Sequence, residues 1–246
     1  MTEYIYGRHP VLELLRTRRR QVVRILLAQG AKRKGTLDQI VDTAEKIGIP
    51  IEVQPRTALN KLRDHNQGIL AETSAYPYAD LDQIIEKIET SSYPGLVLLL
   101  DVIQDPQNLG TLLRTAEAVG VHGIILPSRQ GVGVTPAVVK SSSGASEHLL
   151  ICKHNLAQSI KQLKKHDLWV IGLENTPQST DFDEINTSGA LGIVVGGEER
   201  GLRKLVRDSC DFLVRLPMKG RLSSLNAAIA GSVMLYSIWM EQDSSA

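Results

Sequence analysis

Runs of consecutive apolar residues recur through the C-terminal part of the chain, and each run is short enough to be a single strand. Because they lack the apolar–polar alternation of a half-exposed strand, these runs favour a parallel sheet that is buried on both faces. Helical patterns separate the runs: Leu156, Ile160 and Leu163 recur every three to four residues, as on one face of a packed helix. The apolar runs lie at 96–100, 123–126, 168–172, 191–195 and 212–216, and the helical patterns lie at 109–119, 136–142, 156–165, 200–208 and 225–240. The pattern therefore predicts an α/β domain with a parallel sheet.

The N-terminal part shows the same alternation on a smaller scale. Apolar runs at 22–28, 49–53 and 68–72 alternate with helical patterns at 10–16, 36–47 and 57–63, which predicts a small α/β unit. The segment 73–94 carries Tyr76-Pro77-Tyr78 and a serine-rich stretch around a short helical pattern, a composition typical of a linker. The sequence thus predicts a domain at 1–72, a linker at 73–94 and a second domain at 95–246.

Composition places the chain among ordinary globular proteins. Its 246 residues are enough for one large domain or two modest domains. The N-terminus has no cationic apolar signal and no apolar run reaches the ~18 residues of a membrane span, so a cytoplasmic protein is expected. Cys152 and Cys210 are far apart with no ligand pattern nearby, and the histidines lack metal-ligand spacing. Neither a disulfide framework nor a metal site is expected.

The charge of the chain is divided unevenly between its two parts. The formal net charge is +1, but residues 1–72 hold 13 Lys and Arg against 8 Asp and Glu, whereas the remaining residues are net negative. A basic cluster in the N-terminal part comprises Arg16, Arg18, Arg19, Arg20, Arg24, Lys32, Arg33 and Lys34. Such a cluster neutralises phosphates and gives salt-sensitive nucleic-acid affinity, but a solvated surface has the same composition. The charge alone favours neither interpretation.

Three segments that follow predicted strands combine glycine with short polar and charged residues. In open parallel sheets, ligands bind outside the carboxyl ends of the strands, so these segments are the first candidates for a site. The segment 105–110 reads Asp-Pro-Gln-Asn-Leu-Gly and precedes a helical pattern that contains Arg114. The segment 196–201 reads Gly-Gly-Glu-Glu-Arg-Gly, and 224–226 reads Ser-Leu-Asn before the last helical pattern. Neither a Gly-rich dinucleotide loop nor a Gly-x-Ser-x-Gly elbow is present, which disfavours a Rossmann-type enzyme and a serine hydrolase.

In this order, the three segments resemble the motifs of the SpoU branch of the SPOUT RNA methyltransferases. The family pattern is Asp-Pro-x-Asn-x-Gly followed by Arg, then Gly-x-Glu-x-x-Gly, then Ser-Leu-Asn, and the resemblance covers essentially the whole chain. Residues 7–9 (Gly-Arg-His) and 67–69 (Gln-Gly-Ile) resemble signatures of a ribosomal-protein-like RNA-binding domain. The chain departs from the pattern at Asn66, which separates His65 from Gln67, and at Glu199, where a small residue is common.

The resemblance implies a fold, a cofactor and a reaction. The expected fold is α/β, with a parallel-sheet SPOUT domain that ends in a C-terminal trefoil knot, preceded by a small α/β RNA-binding domain. The expected activity is methylation of a ribose 2′-hydroxyl in structured RNA with S-adenosyl-L-methionine, closest to the branch that acts on a guanosine of large-subunit ribosomal RNA. The alternatives are a tRNA ribose 2′-O-methyltransferase and a non-catalytic knotted RNA-binding or assembly factor.

Residues of three kinds are assigned to the expected site. The resemblance implies cofactor contacts, where glycine lets the backbone approach a ligand closely, at Leu173, Gly196, Gly197, Leu216, Met218 and Leu225. It implies catalytic roles for Asn108, Arg114, Glu198, Ser224 and Asn226. The basic cluster and the Gly-Arg-His signature predict RNA contacts at Arg8, Arg16, Arg18, Arg19, Arg20, Lys32 and Arg33.

Each catalytic candidate also has a structural interpretation. A guanidinium has a pKa of ~12 or more and no acceptor, so Arg114 suits a phosphate clamp better than a general base; its structural alternative is an ion pair with Glu117. Glu198 either accepts hydrogen bonds from Arg114 or loop amides, or stabilises a helix start. Asn108 either orients the ribose or is the N-cap of a helix that begins at Leu109. Ser224 and Asn226 lie near the methyl donor or cap the last helix, and Asp105-Pro106 is expected to form a turn.

A homodimer is also expected. By the resemblance, Arg114 of one subunit reaches the cofactor site of its partner. The terminal helical pattern contains apolar residues that are expected to bury a two-fold interface: Val233, Leu235, Ile238, Trp239 and Met240.

Overall fold

The computed structural model describes residues 2–197, 201–222 and 224–244 of the chain. Its strands are β1 (Thr2–Tyr6), β2 (Val22–Ala28), β3 (Ile51–Gln54), β4 (Ile69–Ser74), β5 (Leu96–Asp101), β6 (Gly123–Pro127), β7 (Ile151–His154), β8 (Trp169–Leu173), β9 (Thr180–Asp181), β10 (Leu191–Gly196) and β11 (Phe212–Arg215). Its α-helices are α1 (Arg8–Thr17), α2 (Thr36–Lys46), α3 (Arg56–Leu62), α4 (Leu81–Glu89), α5 (Pro106–Ala118), α6 (Pro136–Ser141), α7 (Leu156–Lys164), α8 (Lys204–Arg207) and α9 (Ala227–Ser244).

Contacts divide these elements into two units. The first unit comprises Met1–Pro77 together with Val134–His148, and the second comprises Tyr78–Gly133 together with Leu149–Ala246. The chain therefore passes between the units three times. The sequence analysis placed residues 134–148 in the C-terminal domain, because the contacts that assign them to the first unit join residues far apart in the sequence. The functional limits 1–72 and 95–246 stay a prediction.

The first unit contains a sheet with the strand order β1-β4-β2-β3. Strand β4 is antiparallel to β1 and β2, whereas β2 and β3 are parallel. Strands β1, β2 and β3 therefore end on the same side of the sheet, the side on which β4 begins. We call this side, where the three strands end, the C-terminal edge, and the opposite side, where they begin, the N-terminal edge. The sequence analysis missed β1, in which only Ile5 is fully buried, so that the strand has little apolar signal.

A buried ion pair joins the segment 134–148 to the rest of the first unit. The side chain of Arg20 is fully buried, and its Nε and Nη2 donate to the Glu147 carboxylate at 3.0 and 2.8 Å. Its Nη1 donates to Glu3 at 2.8 Å, and its guanidinium lies 4.9 Å from the centre of the Tyr76 ring. This position does not fit the prediction that Arg20 contacts RNA. Its guanidinium donates to Glu3 and Glu147, and its side chain is fully buried away from solvent.

Replacing Arg20 with methionine will destabilise the first unit by about 3 to 5 kcal/mol, because the Glu147 carboxylate is left buried without its partner. The double variant Arg20→Met with Glu147→Leu will regain most of this loss, since a buried pair replaced by apolar residues is often tolerated. Urea unfolding of both variants and the wild type measures the effect. A cost below about 1 kcal/mol for Arg20→Met would contradict this interpretation of the pair.

The second unit contains a parallel sheet with the strand order β7-β6-β5-β10-β8-β11-β9. The predicted α/β fold with a parallel sheet is confirmed, and the predicted strands agree with β5, β6, β8, β10 and β11 within one or two residues. Strands β7 and β9 were missed, because they are short and β9 is only half-buried. The trefoil knot stays a prediction.

Helix α9 packs against α5 and β10 through a glycine. A Cβ atom placed on Gly231 would lie 2.7 Å from Leu112 Cδ2 and 3.0 Å from Val195 Cγ2, so this close approach requires glycine. On the same helix, Leu235 and Ile238 are fully buried, which corrects the prediction that they belong to a subunit interface. Exposed apolar side chains of α9 form what we call the α9 stripe: Ile229, Val233, Tyr236, Trp239 and Met240.

Both cysteines are free thiols that are at least partly buried. Cys152 is buried and Cys210 is half-buried, and burial raises the pKa of each thiol to about 12. A thiol with such a pKa is unreactive near neutral pH. Within the described ranges, His, Cys, Asp and Glu side chains form no group of three that could hold a metal ion. The described helices include none that is both long and apolar enough to cross a membrane.

Candidate functional site

A cavity of about 670 Å³ opens at the carboxyl ends of β8, β10 and β11. The residues predicted to contact the cofactor all line it: Leu173, Gly196, Gly197, Leu216, Met218 and Leu225. Ser224 and Asn226, two of the catalytic candidates, line it as well. The three strands are neighbours in the sheet, which is why segments distant in the sequence meet here. Whether these residues bind the cofactor stays a prediction.

The second motif folds back on itself at the cavity wall. Gly201 N donates to Gly197 O at 3.0 Å, and Gly201 has a left-handed φ of +59°. A Cβ atom on Gly196 would lie 2.4 Å from Gly201 C and 2.6 Å from Gly201 O. Glycine at 196 is therefore required by the chain's own backbone, whereas the sequence analysis attributed it to the ligand.

A buried carboxylate fixes the end of this loop. Asp101, the last residue of β5, is fully buried, and its two oxygens accept hydrogen bonds from Arg203 N at 2.8 Å and Arg203 Nε at 2.6 Å. Asp101 was not among the functional residues predicted from the sequence. Its position as a carboxylate at the end of an apolar run was the signal that could have identified it.

The first and third motifs touch at the rim of the cavity. Asn226 Nδ2 donates to Asn108 Oδ1 at 3.2 Å. Asn226 Oδ1 accepts the backbone N–H groups of Ala228 and Ile229 at 2.9 and 3.2 Å, so Asn226 caps α9. The capping interpretation of Asn226 is confirmed, and a role toward substrate stays a prediction.

The start of α5 differs from the expectation. The helix begins at Pro106, and the Asp105 carboxylate caps it by accepting the Gln107 N–H at 2.9 Å. The prediction that Asn108 caps a helix beginning at Leu109 is therefore wrong, because proline is favoured at the first helical position, where no N–H is needed. Asn108 lies inside the first turn of α5, and Asp105 is the N-cap.

Arg114 is the one member of the Arg114–Glu198 pair of catalytic candidates whose position the structure describes. Arg114 is exposed on α5, and among the described residues it does not belong to the cavity lining. Glu198 and Glu199 lie outside the described residues. The catalytic roles of Arg114 and Glu198 stay predictions.

The basic cluster of the sequence lies largely at the N-terminal edge of the first unit, where Arg16, Arg20 and Arg24 pair with carboxylates. Arg16 pairs with Glu13 at 2.7 Å, and Arg24 pairs with Glu72 at 2.6 Å. Arg19 donates to the Tyr76 hydroxyl at 3.4 Å. These contacts reduce the positive potential that the sequence predicted there.

The C-terminal edge carries other basic side chains, most of which the sequence analysis left out. The connections that begin or end at this edge contain Arg8, His9, Lys32, Lys34, Arg56, Lys61, Arg63 and His65, which are exposed except for the half-buried Arg8. Arg33, in the same connection as Lys32, lies near Asp42 at 3.2 Å. Of the predicted RNA contacts, Arg8, Lys32 and Arg33 therefore lie at this edge.

The inserted residue Asn66 shapes a loop at the C-terminal edge. It is buried, its Nδ2 donates to Asn60 Oδ1 at 2.9 Å, and its Oδ1 accepts the Gly68 N–H at 2.8 Å. Its neighbours His65 and Gln67 adopt left-handed φ angles of 54° and 57° and remain exposed. Gln67 Oε1 accepts the Arg8 N–H at 3.0 Å. The inserted residue Asn66 is thus buried, while its neighbours His65 and Gln67 stay exposed.

Comparison with known proteins gives matches over nearly the whole chain. The model of the SpoU rRNA Methylase family matches residues 95–236, and that of the RNA 2′-O ribose methyltransferase substrate-binding domain matches residues 4–79. The putative TrmH family tRNA/rRNA methyltransferase YacO of Bacillus subtilis (strain 168) is 36% identical over 243 residues, which covers 98% of this chain and 96% of YacO.

Solved structures share the fold. The SpoU methyltransferase AviRb from Streptomyces viridochromogenes, in complex with the cofactor AdoMet, has a TM-score of 0.82 and 22% identity, with 99% of this chain and 91% of AviRb covered. The AdoMet-bound rRNA methyltransferase from Sinorhizobium meliloti has a TM-score of 0.78 and 22% identity, with 98% of this chain and 87% of that chain covered. The resemblance found in the three motifs is thus confirmed, and the chain belongs to the SpoU family of RNA 2′-O-ribose methyltransferases.

Proposed function

We propose that this protein methylates the ribose 2′-hydroxyl of a guanosine in large-subunit ribosomal RNA. The observation that supports this most is the substrate-binding domain match at residues 4–79, ahead of the methylase match. The rRNA methyltransferase from Sinorhizobium meliloti resembles this chain across both regions. YacO is described as a tRNA/rRNA methyltransferase, so a transfer RNA target is the alternative.

The methyl donor is S-adenosylmethionine, and the cavity suits it. When bound, this cofactor supplies an electrophilic methyl group on a sulfonium. A volume of about 670 Å³ lies within the roughly 300–1,000 Å³ of small-molecule sites. Leu173, Gly196 and Leu216 provide main-chain groups at strand ends, and Leu225 provides them just before α9. These groups can pair with the edge of an adenine while the leucine side chains cover its faces.

The residues around the cavity position the ribose. The Asn108–Asn226 contact fixes two amides at the rim, and Ser224 lies beside them on the lining. Holding the 2′-oxygen in line with the methyl group supplies much of the rate, since alignment alone can contribute several kcal/mol. Arg114 clamps a phosphate that flanks the target nucleotide, because its guanidinium stays charged. Glu198 orients that guanidinium.

The active form is a homodimer. The α9 stripe is an exposed apolar surface on a helix whose other face is buried within its own unit. A second copy covers it across a two-fold axis, as a self-complementary patch requires. Arg114, which is absent from the cavity lining of its own chain in the described residues, then reaches the cavity of the partner.

Removing two charges at the C-terminal edge will weaken RNA binding more than removing two at the N-terminal edge. In Lys61→Gln with Arg63→Gln, two exposed cations are lost, so the slope of log K against log salt will fall by about 1 to 2. In the control, Arg16→Gln with Arg24→Gln, the lost charges are already paired with carboxylates. Filter binding of ribosomal RNA fragments at several salt concentrations measures both slopes. Equal losses in the two variants would contradict this placement of the RNA.

A methyl-transfer assay tests the proposed function. Purified protein, labelled S-adenosylmethionine and unmethylated large-subunit ribosomal RNA or transfer RNA are incubated, and the product nucleosides are separated by mass spectrometry. We expect 2′-O-methylguanosine from the ribosomal RNA. Transfer to transfer RNA only would support the alternative target, and no transfer to either RNA would support a non-catalytic RNA-binding factor.

A further inference from the structure

Glu174 is a carboxylate on the cavity wall. It follows β8 directly, lines the cavity, and has a side chain that is only 10% exposed. Its backbone N–H donates to Val214 O at 3.0 Å, which fixes it against β11. A carboxylate in this position is costly to bury unless it has partners.

Its partners are Arg207 and the main chain of the second motif. Arg207 donates from Nε to Glu174 Oε2 at 2.5 Å and from Nη2 to Oε1 at 2.6 Å, a bidentate pair. Glu174 Oε1 also accepts the Leu202 N–H at 3.3 Å, and Arg207 Nη2 donates to Leu202 O at 3.3 Å. The pair therefore holds both main-chain polar groups of Leu202, the residue that follows the motif.

The same carboxylate packs against the last glycine of the motif. A Cβ atom on Gly201 would lie 2.6 Å from Glu174 Oε1. Gly201 lies in turn against Gly196 and Gly197, and all three glycines line the cavity. A displacement of Glu174 is thus transmitted directly to the wall of the cavity.

We infer that Glu174 is a positioning residue that, together with Arg207, fixes Gly201 and Leu202 and thereby sets the shape of the cavity wall that receives S-adenosylmethionine. This inference rests on the proposed use of the cavity as the cofactor site. Arg207 is more than a third exposed, which limits how much the ion pair contributes to stability. The main effect of the pair is on the position of Gly201 and Leu202 at the cavity wall.

Calorimetric titration with S-adenosylmethionine tests the inference on the full chain. We expect Glu174→Gln and Arg207→Gln each to weaken binding at least tenfold in protein that is still folded at the titration temperature. The double variant is expected to bind no more weakly than the poorer single variant, because the two side chains act as one unit. In activity assays, the KM for S-adenosylmethionine rises in these variants while the KM for RNA stays the same.

Lys164→Gln is the matched control, and Arg207→Lys is the second variant. Lys164 pairs with Asp211 at 2.8 Å in the same unit, and neither residue lines the cavity. Its loss should leave cofactor binding unchanged. Arg207→Lys keeps the charge but loses the bidentate geometry, so it should weaken binding even if Glu174→Gln does not fold. Cofactor binding within twofold of wild type in folded Glu174→Gln or Arg207→Lys would overturn the inference, whereas failure of the wild type to bind would overturn the proposed function.

Discussion

Replacement of Gly196 with valine will abolish measurable binding of S-adenosylmethionine. The new Cβ would lie 2.4 Å from Gly201 C, which is backbone and cannot rotate away, so the second motif must move out of its place on the cavity wall. Overpacking of this kind costs about 1 to 3 kcal/mol in the protein. We expect a loss of affinity of at least 100-fold by calorimetry, and no methyl transfer.

Gly192→Ala is the control for this variant, because it adds a Cβ on the same strand. Its nearest neighbour would be Val170 Cγ2 at 3.3 Å, a side-chain atom that can adjust by a few tenths of an ångström. Cofactor binding should remain within a few-fold of the wild type. A folded Gly196→Val protein that binds S-adenosylmethionine normally would show that the motif does not form the cofactor site.

Arg114→Ala will lose methyl transfer by about 10²-fold or more while binding the cofactor normally, because one preorganised cationic donor to the phosphate is removed. If the site is shared, co-expression with Gly196→Val will restore activity. In a mixed dimer, the intact cavity of the Arg114→Ala subunit is completed by Arg114 of its partner. The other site carries both lesions.

The fraction of methyl-transfer activity that returns follows from how the two variant subunits associate into dimers. Random association of equal amounts makes about half of the dimers mixed, each with one working site of two, so activity should return to roughly a quarter of wild type. Co-expression from two differently tagged genes and sequential affinity purification isolates the mixed dimers, whose activity should be about half of wild type because one of their two sites is intact. Purified mixed dimers as inactive as both parents would show that Arg114 serves the cavity of its own chain.

The sequence predicted the elements that carry the chemistry better than the connections between them. Buried parallel strands have continuous apolar runs, so β5, β8, β10 and β11 and the segments after them were identified from local pattern alone. The resemblance to the SpoU motifs implied cofactor contacts at 173, 196, 216 and 225, and these residues do line one cavity. The start of α5 was misplaced, since Pro106 was treated as a turn residue.

Contacts between residues far apart in the sequence could not be predicted from the local pattern of apolar and polar residues. The contact between Arg20 and Glu147 joins residues separated by 127 positions, and neither side chain carries a local sign of burial. The partners of Arg24 were missed because Glu52 and Glu72 lie on neighbouring strands and become visible only in the sheet. Glu174 was missed for a related reason: its partner Arg207 lies on another element.

The most direct measurement is a map of ribose methylation in the ribosomal and transfer RNA of cells that lack this protein, compared with cells that carry the wild type or Gly196→Val. We expect one 2′-O-methylguanosine of the large-subunit ribosomal RNA to disappear, to return with the wild type, and to remain absent with Gly196→Val. An unchanged ribosomal RNA map, with or without a loss in transfer RNA, would contradict the proposed target.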